Sequence, residues 1–362
     1  MSVGVHAAAR PSTSSGAQAT AARASAGTTQ PTTPGRPAAS SAAVLIGGTV
    51  RGDGRPERPV VVDGDQARRA AAARLPPRIA FLGFGLIGGS VALALREVAY
   101  GGSFVAWTPQ GNGPAEGLQR GLLDEAASNL AEAVDGAELI VLAGPPRAVV
   151  SLVGDADLAR RAGTGATVTD VASTKGAVVG GAEATGLPFV GGHPMAGRET
   201  SGVAGATASL FAERPWVIVP ARTAREADID RVVALAGAVG ARPIRMSAEV
   251  HDQAVAAISH LPLVAAAALV ESVVLSEGGA NDWPVARVLA ATGWGDMTRL
   301  ARGDAEMGAG ILDTNRDAVA TRLRAFRDAI DTWLGALEAG TPADALRERL
   351  EAARTALGEG QR

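Results

Sequence analysis

Hydrophobic positions change their arrangement from one stretch of this chain to the next. Up to about residue 75 they follow no period: Ala, Ser, Thr, Gly, Pro and Arg dominate, and the first acidic residue is Asp53. Such a stretch holds too little apolar surface to offset its ordering entropy. Residues 1–75 are therefore read as a disordered low-complexity extension, with one short strand at Ala43 to Ile46. From 76 to 220 short apolar runs alternate with helical stretches: Ile79 to Leu82, Ser103 to Trp107, Leu139 to Ala143, Ala166 to Asp170, Phe189 to Gly191 and Trp216 to Val219. That alternation predicts an α/β domain, a mostly parallel sheet covered on both faces. Beyond Pro220 come a helix at Ala224 to Val239 and a last β-like run at Pro243 to Met246. Long helical patterns then cover Glu249 to Ser276 and Asp313 to Leu337. Residues 221–362 are read as an all-helical second domain. Leu261 to Leu275 is apolar nearly all round, which predicts burial on every side, as in the core of a dimer.

The first strand runs into Gly83-Phe84-Gly85-Leu86-Ile87-Gly88 and an alanine-rich helical stretch follows. This is G-x-G-x-x-G in the frame a dinucleotide needs. Gly83 permits a tight turn, Gly85 lets the backbone approach a pyrophosphate, and Gly88 lets the helix pack on its strand. The helix N-terminus at Leu86 and Ile87 then offers N–H groups and a positive dipole end to the phosphates. The 76–220 domain is accordingly expected to be Rossmann-type. An acidic residue about 20 residues beyond the loop normally bonds the ribose, but Thr108 stands there, in Trp107-Thr108-Pro109. There is no carboxylate at that position to repel a 2′-phosphate and no arginine immediately after it to grip one, so both NAD and NADP are admitted, NAD ahead.

Composition narrows the function classes. The chain has 362 residues, a formal net charge of -3 and no cysteine. The balanced charge speaks against nucleic acid or an anionic membrane surface as partner. Lack of cysteine excludes disulfides, thiolate catalysis and cysteine-held zinc, and no metal site is expected. No apolar run is read as reaching the roughly 18 residues that span a bilayer. The arginine- and serine-rich start has the composition of an organellar transit peptide without its amphipathic pattern, and lacks the apolar core of a secretory signal. A dispensable extension and a cytoplasmic location are expected.

Candidate chemistry concentrates in Gly191-Gly192-His193-Pro194-Met195-Ala196-Gly197-Arg198-Glu199-Thr200-Ser201-Gly202, a histidine among glycines that reads as a loop. In open parallel sheets ligands sit at the carboxyl ends of the strands. Gly83 to Gly88, Pro145-Pro146, Ser173-Thr174-Lys175 and His193 all fall there and are expected to converge on one crevice.

These pieces can be set beside Asp170-Val171-Ala172-Ser173-Thr174-Lys175, His251-Asp252, Ser259-His260-Leu261-Pro262 and Gly293-Trp294-Gly295-Asp296-Met297-Thr298-Arg299-Leu300. In this order, from about 78 to 335, they resemble the prephenate dehydrogenase family, which includes arogenate dehydrogenases. The resemblance implies a Rossmann domain joined to a helical dimerisation domain, a homodimer, and NAD(P)-dependent oxidative decarboxylation in tyrosine biosynthesis. It also implies roles. His193 accepts a hydrogen bond from the substrate's ring hydroxyl, Ser173 meets the same hydroxyl, and Arg299 grips the ring carboxylate. Glu199 and Asp296 belong to an acidic network at the entrance, while Ser259 and His260 shape the pocket. His251-Asp252 is read as ordering a helix start or a domain contact. Where many members carry a second histidine this chain has Leu263, which leaves the choice between prephenate and arogenate open. The chain ends soon after its last helix, so any inhibition by tyrosine is expected at the active site. Other Rossmann-plus-helical dehydrogenases, of the hydroxyacid or imine type, would place a catalytic lysine or acid on the first long helix, and Glu249 to Glu271 has no lysine. A redox sensor that kept the fold and lost the chemistry should lack His193, Ser173 and Arg299 together.

Overall fold

In β3 (Arg78–Leu82) alternate residues serve opposite faces: Ile79 and Phe81 enter one buried cluster, Ala80 and Leu82 the other. Leu139 and Val141 against Ile140 and Leu142 repeat the division in β6 (Leu139–Leu142). A strand apolar at every position needs cover on both sides, and this one has it. The computed structural model describes residues 44–46, 60–62, 64–163, 165–198, 200–277 and 279–359.

Two short strands, β1 (Val44–Ile46) and β2 (Val60–Val62), pair antiparallel, the first falling where a strand was expected. The remaining strands are β4 (Ser103–Trp107), β5 (Glu125–Ala126), β7 (Thr167–Asp170), β8 (Phe189–Pro194), β9 (Pro215–Pro220) and β10 (Arg242–Arg245). With β3 and β6 they form one sheet in the order β10-β9-β8-β7-β6-β3-β4-β5. Every neighbouring pair is parallel except β8 with β9, where His193 lies opposite Val217. The chain leaves β3 toward β4 and β5, then returns to β6 on the other side. That reversal opens a crevice beyond the carboxyl ends of β3 and β6.

The helices up to the last strand are α1 (Gly64–Ala72), α2 (Leu86–Glu97), α3 (Asn112–Gln119), α4 (Leu130–Val134), α5 (Pro146–Val153), α6 (Ala156–Ala162), α7 (Gly176–Thr185) and α8 (Glu226–Ala238). After it come α9 (Ala248–Val255), α10 (Leu261–Val270), α11 (Gly279–Leu289), α12 (Thr292–Thr298), α13 (Ala305–Thr314), α14 (Arg316–Glu338) and α15 (Ala343–Glu359). Turns of π-helix at Ala256–His260 and Glu271–Leu275 make α9 and α10 parts of one 28-residue helix, Ala248–Leu275.

The structure corrects the sequence reading at four points. First, the stretch expected to be disordered stops short of residue 75. Most of it lies outside the described residues, but α1 packs against α8, with Ala72 and Leu75 buried. Arg68 holds it there by donating to the carbonyls of Ala238 and Ala94. Second, the border expected at 220 falls inside the sheet-bearing part, because α8 and β10 return to the sheet and β10 pairs with β9. Third, Leu261 to Leu275 is not buried by its own chain: of α10 only Ala266 is buried, and Leu275 is 72% exposed. Fourth, Ala248–Leu275 does contain a window long and apolar enough to cross a membrane, with mean hydropathy 1.9.

Candidate functional site

The glycine loop meets the steric demands set for it. Gly83 has φ +100, and a Cβ there would fall 2.6 Å from the backbone of Ala143, so only glycine fits both the turn and the contact. A Cβ on Gly88 would lie 3.3 Å from the Gly83 carbonyl, the close helix-to-strand approach. Gly85 has nothing within 4 Å of its would-be Cβ and stands at the N-cap of α2. No side chain caps that helix and its first turn holds no acid. Its first N–H groups have no intrahelical partner. This is an open, positively polarised cradle at a sheet switch point, and it fits a dinucleotide pyrophosphate.

The cradle opens into a cavity of about 640 Å³. Of the residues singled out from the sequence, Gly85, Leu86, Ile87, Pro145, Ser173, His193, Ser259 and Arg299 line it. Leu263 lines it too, one helical turn from Ser259. Ser259 belongs to the π turn of the long helix, a distortion often found at functional sites. The remaining candidates lie elsewhere. Gly83 and Gly88 form the back of the cradle. Thr108 follows β4, outside the cavity wall, and its hydroxyl accepts the Gly111 N–H at 3.0 Å. Asp296 is exposed on α12 and does not line the cavity. His260 is buried behind the wall, its Nδ1 3.2 Å from Asn315 Nδ2. Glu199 lies outside the described residues.

His193 sits in strand β8, and not in a loop as the glycines suggested. Those glycines serve packing: a Cβ on Gly192 would come within 2.5 Å of the Asp170 carbonyl and 2.9 Å of Trp216 Nε1. Asp170 at the end of β7 fixes the strand by accepting the Gly192 N–H at 2.9 Å, and its other oxygen pairs with buried Lys175. Ser173, Thr174 and Lys175 point three ways. Ser173 faces the cavity, Thr174 meets Thr314 of α13 at 2.8 Å, and Lys175 goes into the core.

Sequence reasoning missed the chemical neighbours of His193. Its Nδ1 lies 2.8 Å from His251 Nε2, and His251 Nδ1 lies 2.7 Å from Asp252 Oδ1. Asp252 also accepts the backbone N–H groups of Lys175 and Gly176, both at 2.8 Å. The expected domain contact is therefore present. The expected helix start is not its work, since Ser247 caps α9 by accepting the Val250 N–H. A His-Asp dipeptide was visible in the sequence, but nothing in its spacing named His193 as partner.

Electrostatics favour a neutral His193 at the wall. Burial, joined by the charges of His251, Lys175 and His260, holds the His193 imidazole well below its ordinary 6.5. Burial likewise lowers His260 to about 4, against the pull of Asp252. For Asp252 burial works upward, but the hydrogen bonds from His251, Gly176 and Lys175 outweigh it and keep the carboxyl below its usual value. The site thus offers a neutral imidazole that can accept a hydrogen bond, a serine hydroxyl and a guanidinium around one cavity, with a dinucleotide cradle as its floor.

Comparison with known proteins agrees along most of the chain. The family model described as "Prephenate dehydrogenase, nucleotide-binding domain" matches residues 91–245, and "Prephenate dehydrogenase, dimerization domain" matches 247–352. The prephenate dehydrogenase of Bacillus subtilis is 32% identical over 264 residues, covering 71% of this chain and 67% of that protein. Among solved structures, Aquifex aeolicus prephenate dehydrogenase in complex with hydroxyphenyl propionate and NAD+ superposes with a TM-score of 0.69 at 26% identity, over 78% of this chain and 98% of the other. Synechocystis arogenate dehydrogenase gives 0.65 at 28%, over 78% and 99%. With both halves of the family present in order, the chain belongs to the prephenate dehydrogenase family.

Proposed function

We propose that this chain oxidises and decarboxylates prephenate to 4-hydroxyphenylpyruvate, with His193 and Ser173 at the ring hydroxyl and Arg299 at the ring carboxylate. The observation that carries the reading is the placement of these side chains and the uncapped N-terminus of α2 around one cavity. A bound NAD(P) supplies the acceptor for the hydride that leaves C4. Neutral His193 accepts the hydrogen bond of the C4 hydroxyl and shares its proton as the carbonyl forms. Loss of the ring carboxylate as carbon dioxide restores aromaticity, and the proton stays with the phenol oxygen. A guanidinium fork suits the carboxylate better than an ammonium would. Ser259 and buried His260 shape the wall. Glu199 and Asp296 are assigned to the entrance.

His193→Asn is expected to lower kcat by about 10²–10⁴ with little change in substrate KM, because the bond matters most in the transition state. A kcat within a few-fold of the parent would sink the assignment. Arg299→Ala should chiefly raise KM; an unchanged KM moves the carboxylate anchor elsewhere. Leu263 on the cavity wall favours a second reading, the use of arogenate, which bears an amino group where prephenate has a keto group. Initial rates with prephenate and arogenate, each with NAD and NADP, decide between the readings. NAD is placed ahead, as no basic residue immediately follows Thr108 to hold a 2′-phosphate.

The apolar helix Ala248–Leu275 is assigned to a homodimer seam in a cytoplasmic enzyme and not to a bilayer. It carries the buried polar groups His251, Asp252 and His260, all tied into the site.

A further inference from the structure

The contacts of His193 determine which of its nitrogens holds the proton. A carboxylate can only accept, and Asp252 accepts three N–H groups: His251 Nδ1 at 2.7 Å, and Lys175 N and Gly176 N at 2.8 Å. His251 Nδ1 is thus the protonated nitrogen of its ring. A neutral imidazole with its proton on Nδ1 has only a lone pair on Nε2. Across the 2.8 Å contact His193 Nδ1 must then donate. That uses the one proton of a neutral His193 ring, and Nε2, the nitrogen left for a bound molecule, is bare. The opposite tautomer at either ring would set two protons or two lone pairs face to face.

We propose that His251 and Asp252 are positioning residues that lock His193 in its Nδ1–H tautomer, so that the Nε2 lone pair meets the substrate hydroxyl. The last clause rests on the function proposed above; the tautomer is a property of the free protein. The pair is held from three sides. Asp252 stands on α9, its carboxylate lies against the N-terminus of α7, and its own carbonyl accepts from Asn315 Nδ2 at 2.9 Å. The rings of His193 and His251 are nearly perpendicular, 76° apart with centroids at 5.0 Å, so ring stacking does not account for the contact. Histidine tautomers are commonly set in this way, by the bond that the other nitrogen makes.

The test is ¹⁵N NMR of the full chain labelled at histidine, with no ligand added. The chain has 4 histidines, and His193→Asn identifies the signals of His193 by their loss. The parent should show His193 with Nδ1 protonated and Nε2 bare. His251→Leu should let the Nε2–H form appear and lower kcat by about 10²-fold, with substrate KM moved less than a few-fold. His251→Gln, whose amide oxygen can accept at the place of Nε2, should recover most of that loss. A parent spectrum with a proton on His193 Nε2, as a doubly protonated His251 would impose, overturns the proposal even if no variant folds. So does a His251→Leu enzyme with an unchanged tautomer or a kcat within a few-fold of the parent. An active His193→Asn enzyme would sink the proposed function and leave the tautomer result standing.

Discussion

At the scale of single residues the protonation of His193 decides when the site can work. Its folded-state pKa lies well below 6.5, chiefly because burial disfavours the imidazolium. The acceptor form is present above that depressed pKa and is lost as pH falls through it. The kcat/KM profile, which reports the free enzyme, should therefore stay flat through pH 6.5 and bend only on the acid side of it. An acid limb centred at or above 6.5 would place the essential base on an ordinary, solvated histidine. His193 itself was legible in the sequence, because Gly-Gly-His-Pro follows a strand and precedes a polar run. Its partner was not, since 58 residues separate it from His251. Local patterns carry no trace of a contact made when β8 and α9 meet. Asp296 matched a motif whose residues were expected at the entrance, and α12 leaves it exposed and off the cavity wall.

At the scale of elements, strands buried along most of their length were read close to where they lie, as β3, β4, β6, β7 and β9 show. Elements held by distant partners were misread. β8 runs on through Gly191, Gly192 and His193, where glycine suggested a loop; there it answers to crowding by Asp170 and Trp216. α1 looked like more of an alanine- and arginine-rich tail, because its stability comes from bonds between Arg68 and carbonyls at the ends of α2 and α8. This changes what truncation should do. A chain starting at Gly64 keeps α1, whereas one starting at Pro76 loses the buried Ala72 and Leu75 and the two Arg68 bonds. The shorter chain should be less stable by roughly 2–5 kcal/mol in urea unfolding. Equal midpoints for the two would show that α1 adds nothing.

At the scale of the whole molecule the two halves differ in how they bury their apolar surface. The sheet has a cluster on each face. The helical half has, among the described residues, one small cluster of Ala256, Ala318 and Val319, with Val264, Leu312 and Leu323 packed on them. Its apolar residues instead face outward: Phe326, Ile330, Leu334 and Leu337 recur at helical spacing along α14, with Ile330 and Leu334 50% and 52% exposed. The all-round apolar character of Leu261 to Leu275 was legible in the sequence, but its cover is not supplied within one chain. A contiguous apolar surface of this sort marks an interface, and a second copy of the chain is the occupant expected from the family. Ile330→Glu combined with Leu334→Glu tests this, because each side chain should bury about 1.5 kcal/mol or more on association. Four such side chains per dimer make about 6 kcal/mol, which raises Kd on the order of 10⁴-fold. Sedimentation should then find a dimeric parent and a monomeric variant at micromolar concentration. NAD(P) binding serves as the control for folding, since the cradle at Gly83 to Gly88 is built wholly by the sheet-bearing half and should keep its affinity. A variant that stays dimeric would move the seam off α14. A parent that sediments as a monomer would leave the apolar helix Ala248–Leu275 in need of another cover.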